Sequence, residues 1–197
     1  YVNQTILELI NISKSYPGVQ ALKNVDFDLK TGEVHVLIGE NGAGKSTMGN
    51  IIIGAEKPNS GEIILEGKKV SFERPADAIR HGIAGVNQEL MLIPWLNGAQ
   101  NIFLNREPRK MNLPLMIDQK KMQNDAMEIL SSIGGSSIQV SSPVKLMSSA
   151  QKQMIEIAKV LVMKPKIVIF DEPTAILSEE EVNRLFEKIE ALKQEGA

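Results

Sequence analysis

The sequence contains no cysteine, no long apolar run and no excess of basic residues. Without cysteine, disulfide bonds and thiolate metal sites are excluded, which is compatible with a reducing compartment. No stretch reaches the roughly 18 apolar residues of a membrane-spanning helix, so no segment is expected to cross a bilayer. The 22 basic and 24 acidic residues give a formal net charge of −2, so nothing general points to nucleic-acid binding.

The first residues lack two further signals. Tyr1-Val2-Asn3-Gln4 has neither the basic region nor the apolar core of a secretory leader. It also has no initiator methionine, so we expect a processed chain or a piece of a longer one. Any membrane role is then expected to depend on a partner. The 197 residues suffice for one α/β domain with a buried core.

Apolar periodicity predicts alternating strands and helices. Strands are predicted at 6–12, 25–29, 34–38 and 167–170, together with a hairpin over 62–72 that turns at Glu66-Gly67. Helices are predicted at 46–53, 118–133, from Ser148 to Pro165 and from the Ser178–Glu181 capping box to Gly196. This alternation predicts an α/β fold with a mostly parallel core sheet. The block between Gln88 and Pro165 is predicted to be an inserted, largely helical subdomain.

One glycine-rich loop carries the strongest chemical signal. Gly39-Glu40-Asn41-Gly42-Ala43-Gly44-Lys45-Ser46 matches the phosphate-binding pattern G-x-x-x-x-G-K-[ST] in full. Its backbone N–H groups and the positive end of the following helix suit phosphate oxygens. Lys45 is predicted to meet the β- and γ-phosphates, and the Ser46 hydroxyl to complete a Mg²⁺ shell. The alternative is a chance turn of glycines, which the predicted strand before the loop and the helix after it disfavour.

A second candidate element follows the apolar strand at 167–170. Asp171 is predicted to hold Mg²⁺ through water, and Glu172 to polarise the attacking water as a general base. Taken alone, these carboxylates also suit a strand end with solvated charges. Together with the glycine loop, the pair favours hydrolysis of the nucleotide over simple binding.

Several stretches, in this order along the chain, resemble the ATPase domain of ABC transporters. They are Gly39–Ser46, Gln88 within Val86-Asn87-Gln88-Glu89-Leu90, the run Ser148–Lys159 at the place of the family's signature, and Asp171-Glu172-Pro173-Thr174. Tyr16–Leu22, Asn87–Leu90 and Asn101–Leu104 are most similar to the first ATPase domain of the sugar-import branch, the ribose-, galactose- and xylose-type importers. The resemblance covers essentially the whole chain.

The resemblance implies a fold and a set of site residues. The fold would be a P-loop NTPase core over 1–197, with an antiparallel β-subdomain and a helical subdomain at about 90–163. Nucleotide contacts are implied for Tyr16, Gly39, Glu40, Asn41, Gly42, Ala43, Gly44, Lys45, Ser46, Thr47, Ser148 and Gln151. Catalytic roles are implied for Lys45, Gln88 and Glu172, and metal contacts for Ser46, Gln88 and Asp171.

Some of these roles have structural alternatives. Tyr16 would stack on adenine, but an aromatic near a turn is also a common core or surface residue. Gln88 would contact Mg²⁺ or the water and report nucleotide state to the membrane partner, a role that only the family supports. Ser148 and Gln151 would reach the γ-phosphate held by a second ATPase domain. Ser148 suits an N-cap of the helix that it precedes equally well.

The sequence also departs from the family pattern. The signature usually begins Leu-Ser and has two glycines, whereas this chain has Met147-Ser148-Ser149-Ala150-Gln151. Ser149 therefore places a side chain where close backbone approach is expected. The family's switch histidine should follow Ala197, and neither His35, in a predicted strand, nor His81, in a predicted helix, fits its position. The domain is therefore expected to be incomplete at its C-terminus.

The implied function is an ATPase subunit that powers sugar import. Its expected partners are a membrane permease, a second ATPase domain in the same chain or a homodimer, and indirectly a periplasmic or extracellular sugar-binding protein, with no nucleic acid. Its expected location is peripheral, on the cytoplasmic face of the cell membrane. Two alternatives stay open: a non-transport ABC-type ATPase, and a nucleotide-binding module with little turnover. The sequence names no sugar.

Overall fold

The computed structural model of the chain describes residues 4–86, 90–111 and 113–197. The strands are β1 (Thr5–Tyr16), β2 (Val19–Lys30), β3 (Ser60–Leu65), β4 (Lys68–Val70), β5 (Ile83–Val86), β6 (Arg109–Lys110), β7 (Leu113–Ile117) and β8 (Ile167–Phe170). The helices are α1 (Lys45–Ile52), α2 (Pro75–Arg80), α3 (Gly98–Ile102), α4 (Gln119–Ser132), α5 (Ser149–Leu161) and α6 (Glu179–Gln194). In the described ranges, no helix is long and apolar enough to cross a membrane.

The chain forms two compact units. Unit 1 comprises the residues up to Gly85 with 165–169 and 190–197, and unit 2 comprises 86–164 with 170–189. An antiparallel sheet in the order β2-β1-β3-β4 forms most of unit 1. β5 and β8 pair in parallel, because Lys166 N donates to Gly82 O and Asp171 N donates to Val86 O further along both strands.

Strand β1 changes face at a bulge. Leu7 and Leu9 are buried on one face, and the next fully buried residue is Ile12 rather than a residue two further on. Asn11 takes a φ of 51°, and its N–H donates to Asp26 Oδ1 at 2.7 Å. The extra residue shifts the register, so that Ile12 joins the same core. The opposite strand keeps the predicted alternation, with Val25, Phe27 and Leu29 half-buried between exposed Asp26 and Asp28.

The core of unit 1 lies between the sheet and α1. Residues of β1, β3 and α1 supply most of its buried side chains, among them Leu7, Leu9, Ile12, Met48, Ile51, Ile52, Ile63 and Leu65. The predicted hairpin over 62–72 is confirmed. Its turn residues Glu66 and Gly67 have φ of 50° and 73°, which is the geometry of a tight two-residue hairpin turn.

Unit 2 is built on three helices. α3, α4 and α5 pack against one another, around buried Ile102, Met122, Leu130, Met154, Ile155 and Ile157. Gly98 permits this approach, because a Cβ there would lie 3.0 Å from Ile155 Cδ1 and 3.2 Å from Val140 O. α4 begins where the sequence predicts, since Asp118 Oδ1 accepts the Lys121 N–H at 3.0 Å. The boundary of a helical subdomain at about 90–163 stays a prediction.

The prediction of a strand at Val34–Ile38 is wrong. Residues 33–40 have no regular secondary structure, and Ile38 is 92% exposed. An apolar composition favours burial, but a strand also needs the edge of a neighbouring strand to pair with. In the described ranges β5 pairs with β8 and β2 with β1, so no ladder includes this segment.

Both histidines also differ from expectation. His35 lies in the irregular segment, with Nδ1 3.2 Å from Glu33 Oε1. The Lys30 N–H bond to Glu33, assisted by His35, holds the pKa of the Glu33 carboxyl below its usual value. His81 is the C-cap residue of α2 rather than part of its interior. The predicted α6 is confirmed with its Ser178–Glu181 capping box, and Leu185 is its buried residue.

Candidate functional site

The glycine loop of unit 1 leads directly into a helix. Residues 41–44 form a turn in which Gly42 and Gly44 have φ of 88° and 89°, a region that other L-residues rarely adopt. α1 starts at Lys45, one residue before the predicted Ser46, and Gly44 is its N-cap. Met48, Ile51 and Ile52 recur at helical spacing and are buried, so they fix the helix against the core.

Gly44 also has no room for a side chain. A Cβ at this position would lie 2.6 Å from Ala21 O and 2.7 Å from Leu22 Cδ2. By contrast, a Cβ at Gly42 would meet no atom within 4 Å. β2 therefore packs directly against the loop at Gly44, whereas Gly42 has no neighbouring atoms on the side where a Cβ would lie. No sequence signal pointed to this role of Ala21 and Leu22.

The N-terminus of α1 offers free backbone donors. No side chain caps the helix; within the turn Ala43 N donates to Glu40 O at 3.1 Å, and Met48 N donates to Gly44 O at 2.9 Å. Among the described residues, none accepts a hydrogen bond from the N–H groups of Gly42, Gly44, Lys45 or Ser46. Converging unpaired amides at the positive end of a helix fit an anion such as phosphate.

The Lys45 side chain folds back over this loop. Its Nζ donates to Gly39 O at 2.6 Å and to Glu40 O at 3.0 Å. The ammonium group is therefore held on the loop by two carbonyl groups that carry only partial charge. Ser46, the next residue, is exposed. These groups fit the phosphates of a nucleotide, and the Ser46 hydroxyl is a suitable oxygen ligand for Mg²⁺.

Tyr16 belongs to the same unit, at the end of the β1–β2 hairpin. It pairs with Val19 across the turn and is 38% exposed. Lys14 Nζ lies 5.2 Å from the centre of its ring, and is held there by Glu56 at 2.7 Å and Lys57 O at 2.8 Å. The ring is therefore partly open, as stacking on a base requires, and its role with adenine stays a prediction.

The acidic pair of the sequence prediction lies in unit 2, directly after β8. Asp171 continues the strand pairing through its N–H bond to Val86 O at 3.1 Å, and its side chain is half-buried. Glu172 is exposed and takes a φ of 49°, which is uncommon for a residue with a side chain. Such strained positions cluster at functional sites. The predicted strand end is confirmed, and the chemical roles of both carboxylates stay predictions.

Ser148 and Gln151 form a capping box at the start of α5. Ser148 Oγ accepts the Gln151 N–H at 3.2 Å, and Gln151 Oε1 accepts the Ser148 N–H at 3.0 Å. The N-cap role predicted for Ser148 as an alternative is thus confirmed. The bonds use acceptor oxygens only, so the Ser148 hydroxyl proton and the Gln151 amide protons remain free to donate.

A buried ion pair connects α5 to the segment after residue 89. Lys159 Nζ donates to Met91 O at 2.8 Å and lies 3.3 Å from Glu156 Oε1. Glu156 is almost fully buried. Burial raises the pKa of its carboxyl, and the Lys159 ammonium group only partly offsets this.

An apolar surface in unit 2 was not foreseen from the sequence. Met91, Ile93, Trp95 and Leu146 expose large parts of their side chains, and Lys145 Nζ lies 4.0 Å from the centre of the Trp95 ring. Asn101 supports this segment from below: its Oδ1 accepts the Ile93 N–H at 2.7 Å, and its Nδ2 donates to three backbone carbonyls. In the sequence, the apolar residues beside prolines could have indicated this surface.

The remaining predicted residues divide by unit. The nucleotide-contact set of Tyr16 and Gly39–Thr47 lies in unit 1, whereas Ser148, Gln151, Asp171 and Glu172 lie in unit 2. Gln88 falls outside the described residues. In the ranges that are described, no group of three or more His, Cys, Asp or Glu side chains could hold a metal ion by itself.

Relatives of the chain are ATP-binding proteins of sugar importers. It is 46% identical to a ribose import ATP-binding protein of Streptomyces avermitilis over 97% of this chain and 36% of the relative. It is 47% identical to a putative ribose/galactose/methyl galactoside import ATP-binding protein of Agrobacterium fabrum, over 97% of this chain and 37% of the relative. The chain therefore spans little more than a third of the length of the curated relatives it matches.

Solved structures with the same fold are ATP-binding cassettes. One is a dimeric cassette in a post-hydrolysis state bound to ADP and Pi, with a TM-score of 0.84 and 27% identity over 96% of this chain and 84% of the other. Another is a nucleotide-free cassette from an ABC transporter, with a TM-score of 0.80 and 25% identity over 98% and 79%. The sequence profile of the ABC transporter family matches residues 22–175. The chain thus belongs to the ABC transporter family and has the P-loop NTPase fold of its ATP-binding cassettes.

Proposed function

We propose that the chain binds ATP and Mg²⁺ at Gly39–Thr47, hydrolyses the ATP, and powers sugar import through a membrane permease. The observation that carries this proposal is the loop geometry of unit 1. It combines unpaired amides at the start of α1, two glycines at positive φ, and the Lys45 ammonium group bound to a carbonyl group of the same loop. The printed names of the relatives, which are ribose and galactose import ATP-binding proteins, support the transport role.

Binding of ATP requires Lys45 to exchange partners. Its Nζ leaves the carbonyl groups of Gly39 and Glu40 and meets the β- and γ-phosphates. This exchange favours the nucleotide, because a fully charged phosphate attracts an ammonium group more strongly than a neutral carbonyl does. The free N–H groups between Gly42 and Ser46 then surround the phosphate oxygens, and Tyr16 stacks on the adenine.

Hydrolysis is assigned to the carboxylates after β8. Ser46, Asp171 and Gln88 are the residues proposed to hold Mg²⁺, which would supply positive charge to neutralise the phosphates. Glu172 orients the attacking water and accepts its proton. Its exposed side chain and its left-handed backbone suit a group that projects from the strand end toward solvent.

Ser148 and Gln151 are proposed to act on the ATP of a second ATPase domain. Their free protons and the N-terminus of α5 provide donors for a γ-phosphate brought by that partner. An aspartate at 148 keeps the cap, since it also accepts the N–H of residue 151, but it repels phosphate. Ser148→Asp is therefore expected to retain stability and lose ATP-dependent dimerisation, whereas Ser148→Ala loses about 1 kcal/mol of stability.

The apolar surface of Met91, Ile93, Trp95 and Leu146 is the proposed contact for the permease. An exposed apolar cluster of this kind marks interaction sites on soluble domains. Docking there would hold the chain peripherally on the cytoplasmic face of the cell membrane. A sugar-binding protein outside the membrane would then be an indirect partner, and the sugar specificity would lie in it and in the permease.

The first experiment tests the nucleotide site. Binding of ATP in the presence of Mg²⁺ is measured by isothermal titration for the 197-residue chain, Lys45→Ala and Lys68→Ala. Lys68 is an exposed lysine of β4 and serves as the matched control for loss of a positive charge. We expect at least tenfold weaker binding for Lys45→Ala, since a charge-assisted bond contributes about 1.5–3 kcal/mol, and unchanged binding for Lys68→Ala. Equal ATP affinities of all three proteins would refute the proposal.

Two further assays separate the alternatives. Release of phosphate is compared between the chain and Glu172→Gln, which is expected to bind ATP normally and to hydrolyse at least a hundredfold more slowly. If the chain binds ATP but neither it nor a version extended with the relatives' following residues hydrolyses it, the module with little turnover is the better interpretation. Reconstitution with a sugar permease then distinguishes a transport ATPase from a non-transport one, because only the former couples hydrolysis to uptake.

A further inference from the structure

The hairpin of β6 and β7 exposes large apolar side chains at its tip. Met111 in the turn is 95% exposed, and Leu115 in β7 is 94% exposed. Leu113 and Met116 also expose about half of their side chains. A two-stranded hairpin is only marginally stable in water by itself, and apolar residues at such exposure cost free energy unless a partner covers them.

The hairpin and the residues that flank it are basic. Residues 105–121 carry five basic and two acidic side chains, a net charge of +3 in a chain whose net charge is −2. Both acidic side chains accept hydrogen bonds from nearby backbone groups: Glu107 accepts the Asn105 N–H, and Asp118 caps α4. In the described ranges, Arg106, Arg109, Lys110 and Lys120 are exposed and have no carboxylate within ion-pair distance. Arg109 donates to Leu115 O at 3.3 Å, which holds its charge close to the exposed Leu115 side chain.

From this combination we propose that the β6–β7 hairpin inserts its tip into the surface of an anionic phospholipid bilayer. Met111 and Leu115 enter the boundary between headgroups and acyl chains, while Arg109 and Lys110 contact the phosphates on the rim. Apolar residues bordered by cations are the pattern of segments that lie in a membrane interface. The lipid contact is an addition to any permease contact and does not depend on nucleotide.

Charge favours a lipid surface over two other partners, a second copy of the chain and an acidic protein segment. A second copy of the chain would bring the same positive hairpin, and like charges at close range oppose that contact. An acidic protein segment would satisfy the cations but would leave Met111 and Leu115 in contact with polar groups. An anionic lipid surface supplies both an apolar layer and a dense array of phosphates, so it satisfies the whole hairpin.

The test is sedimentation of the 197-residue chain with vesicles. Vesicles of phosphatidylcholine alone are compared with vesicles in which about one lipid in three is phosphatidylglycerol. The variants are the pair Met111→Ser with Leu115→Ser, and separately Lys110→Gln. Their controls are Phe186→Ser, which removes another exposed apolar side chain, and Lys68→Gln, which removes another exposed positive charge. All five proteins are first compared by thermal unfolding, and the exposed positions are expected to leave the melting temperature unchanged.

The expected result is binding to the anionic vesicles that weakens with added salt. The Met111 and Leu115 double variant should bind at least tenfold more weakly, and Lys110→Gln about fivefold more weakly. Both controls should bind like the parent chain. Absence of binding by the parent chain, or equal binding by the double variant, would overturn the proposal. Capture of the hairpin by an acidic peptide without vesicle binding would assign it to a protein partner instead.

Discussion

Replacement of Gly44 by alanine tests how the phosphate loop is supported. At a φ of 89°, alanine is strained by about 1–2 kcal/mol relative to glycine. In addition, the new methyl group would lie 2.6 Å from Ala21 O, well inside ordinary contact, and that backbone oxygen cannot rotate away. Displacing β2 or the loop to relieve this contact costs about 1–3 kcal/mol. We therefore expect Gly44→Ala to lose about 3 kcal/mol in the free energy of unfolding.

Two matched glycines isolate the steric part of this loss. Gly42 and Gly18 have φ of 88° and 81°, and a Cβ at either would meet no atom within 4 Å. Alanine there should cost only the backbone strain of about 1–2 kcal/mol. Urea unfolding without nucleotide, followed by circular dichroism, measures all three. In thermal unfolding, at about 2–4 °C per kcal/mol, the melting temperature should fall by about 6–12 °C for Gly44→Ala and by about 2–8 °C for the controls. Equal losses at the three positions would refute the inferred contact with β2.

Two further predictions concern unit 2. Asn101→Ala should lower the free energy of unfolding by about 2–3 kcal/mol, because it leaves the Ile93 N–H and buried carbonyl groups without partners, whereas exposed Asn124→Ala in α4 should be neutral in the same urea assay. Glu156 should make the free energy of unfolding fall as pH rises. Because its pKa is raised, the folded chain holds the carboxyl proton more tightly than the unfolded chain does. This contribution to stability is fully present below the ordinary glutamate pKa and is lost as pH rises through the pKa of the folded state. The free energy of unfolding of the parent chain should therefore fall relative to that of Glu156→Gln as pH rises above the ordinary glutamate pKa, with exposed Glu128→Gln as control. A pH-independent difference would contradict that interpretation.

Local signals in the sequence predicted much of the fold. The turn at Glu66-Gly67, the start of α4 at Asp118, the N-cap at Ser148 and the capping box at Ser178 depend on residues within four positions of each other. Each involves a side chain or a φ preference that acts on its own neighbours. The same pattern, Asn97 followed by Gln100, caps α3 and could have been found in the sequence.

Features that depend on distant residues were not predictable. Val34–Ile38 has strand composition, but whether it pairs depends on edges elsewhere in the chain. The contact of Gly44 with Ala21 and Leu22 joins residues more than twenty positions apart, and no periodicity reports it. For the candidate site, the sequence identified the residue types and their order, whereas the partners of Lys45 and the donors left free by Ser148 required coordinates.

The exposed segment before the glycine loop has a consequence for the behaviour of the protein in concentrated solution. Val34-His35-Val36-Leu37-Ile38 contains no proline, no glycine and no acidic or basic residue other than one histidine. Short runs of this composition, when their backbone groups are unpaired, readily add to the same run of another molecule as intermolecular β-structure. We therefore expect slow, concentration-dependent aggregation that begins at this segment. A lysine in place of Val36, which is 69% exposed, should delay it without affecting the core.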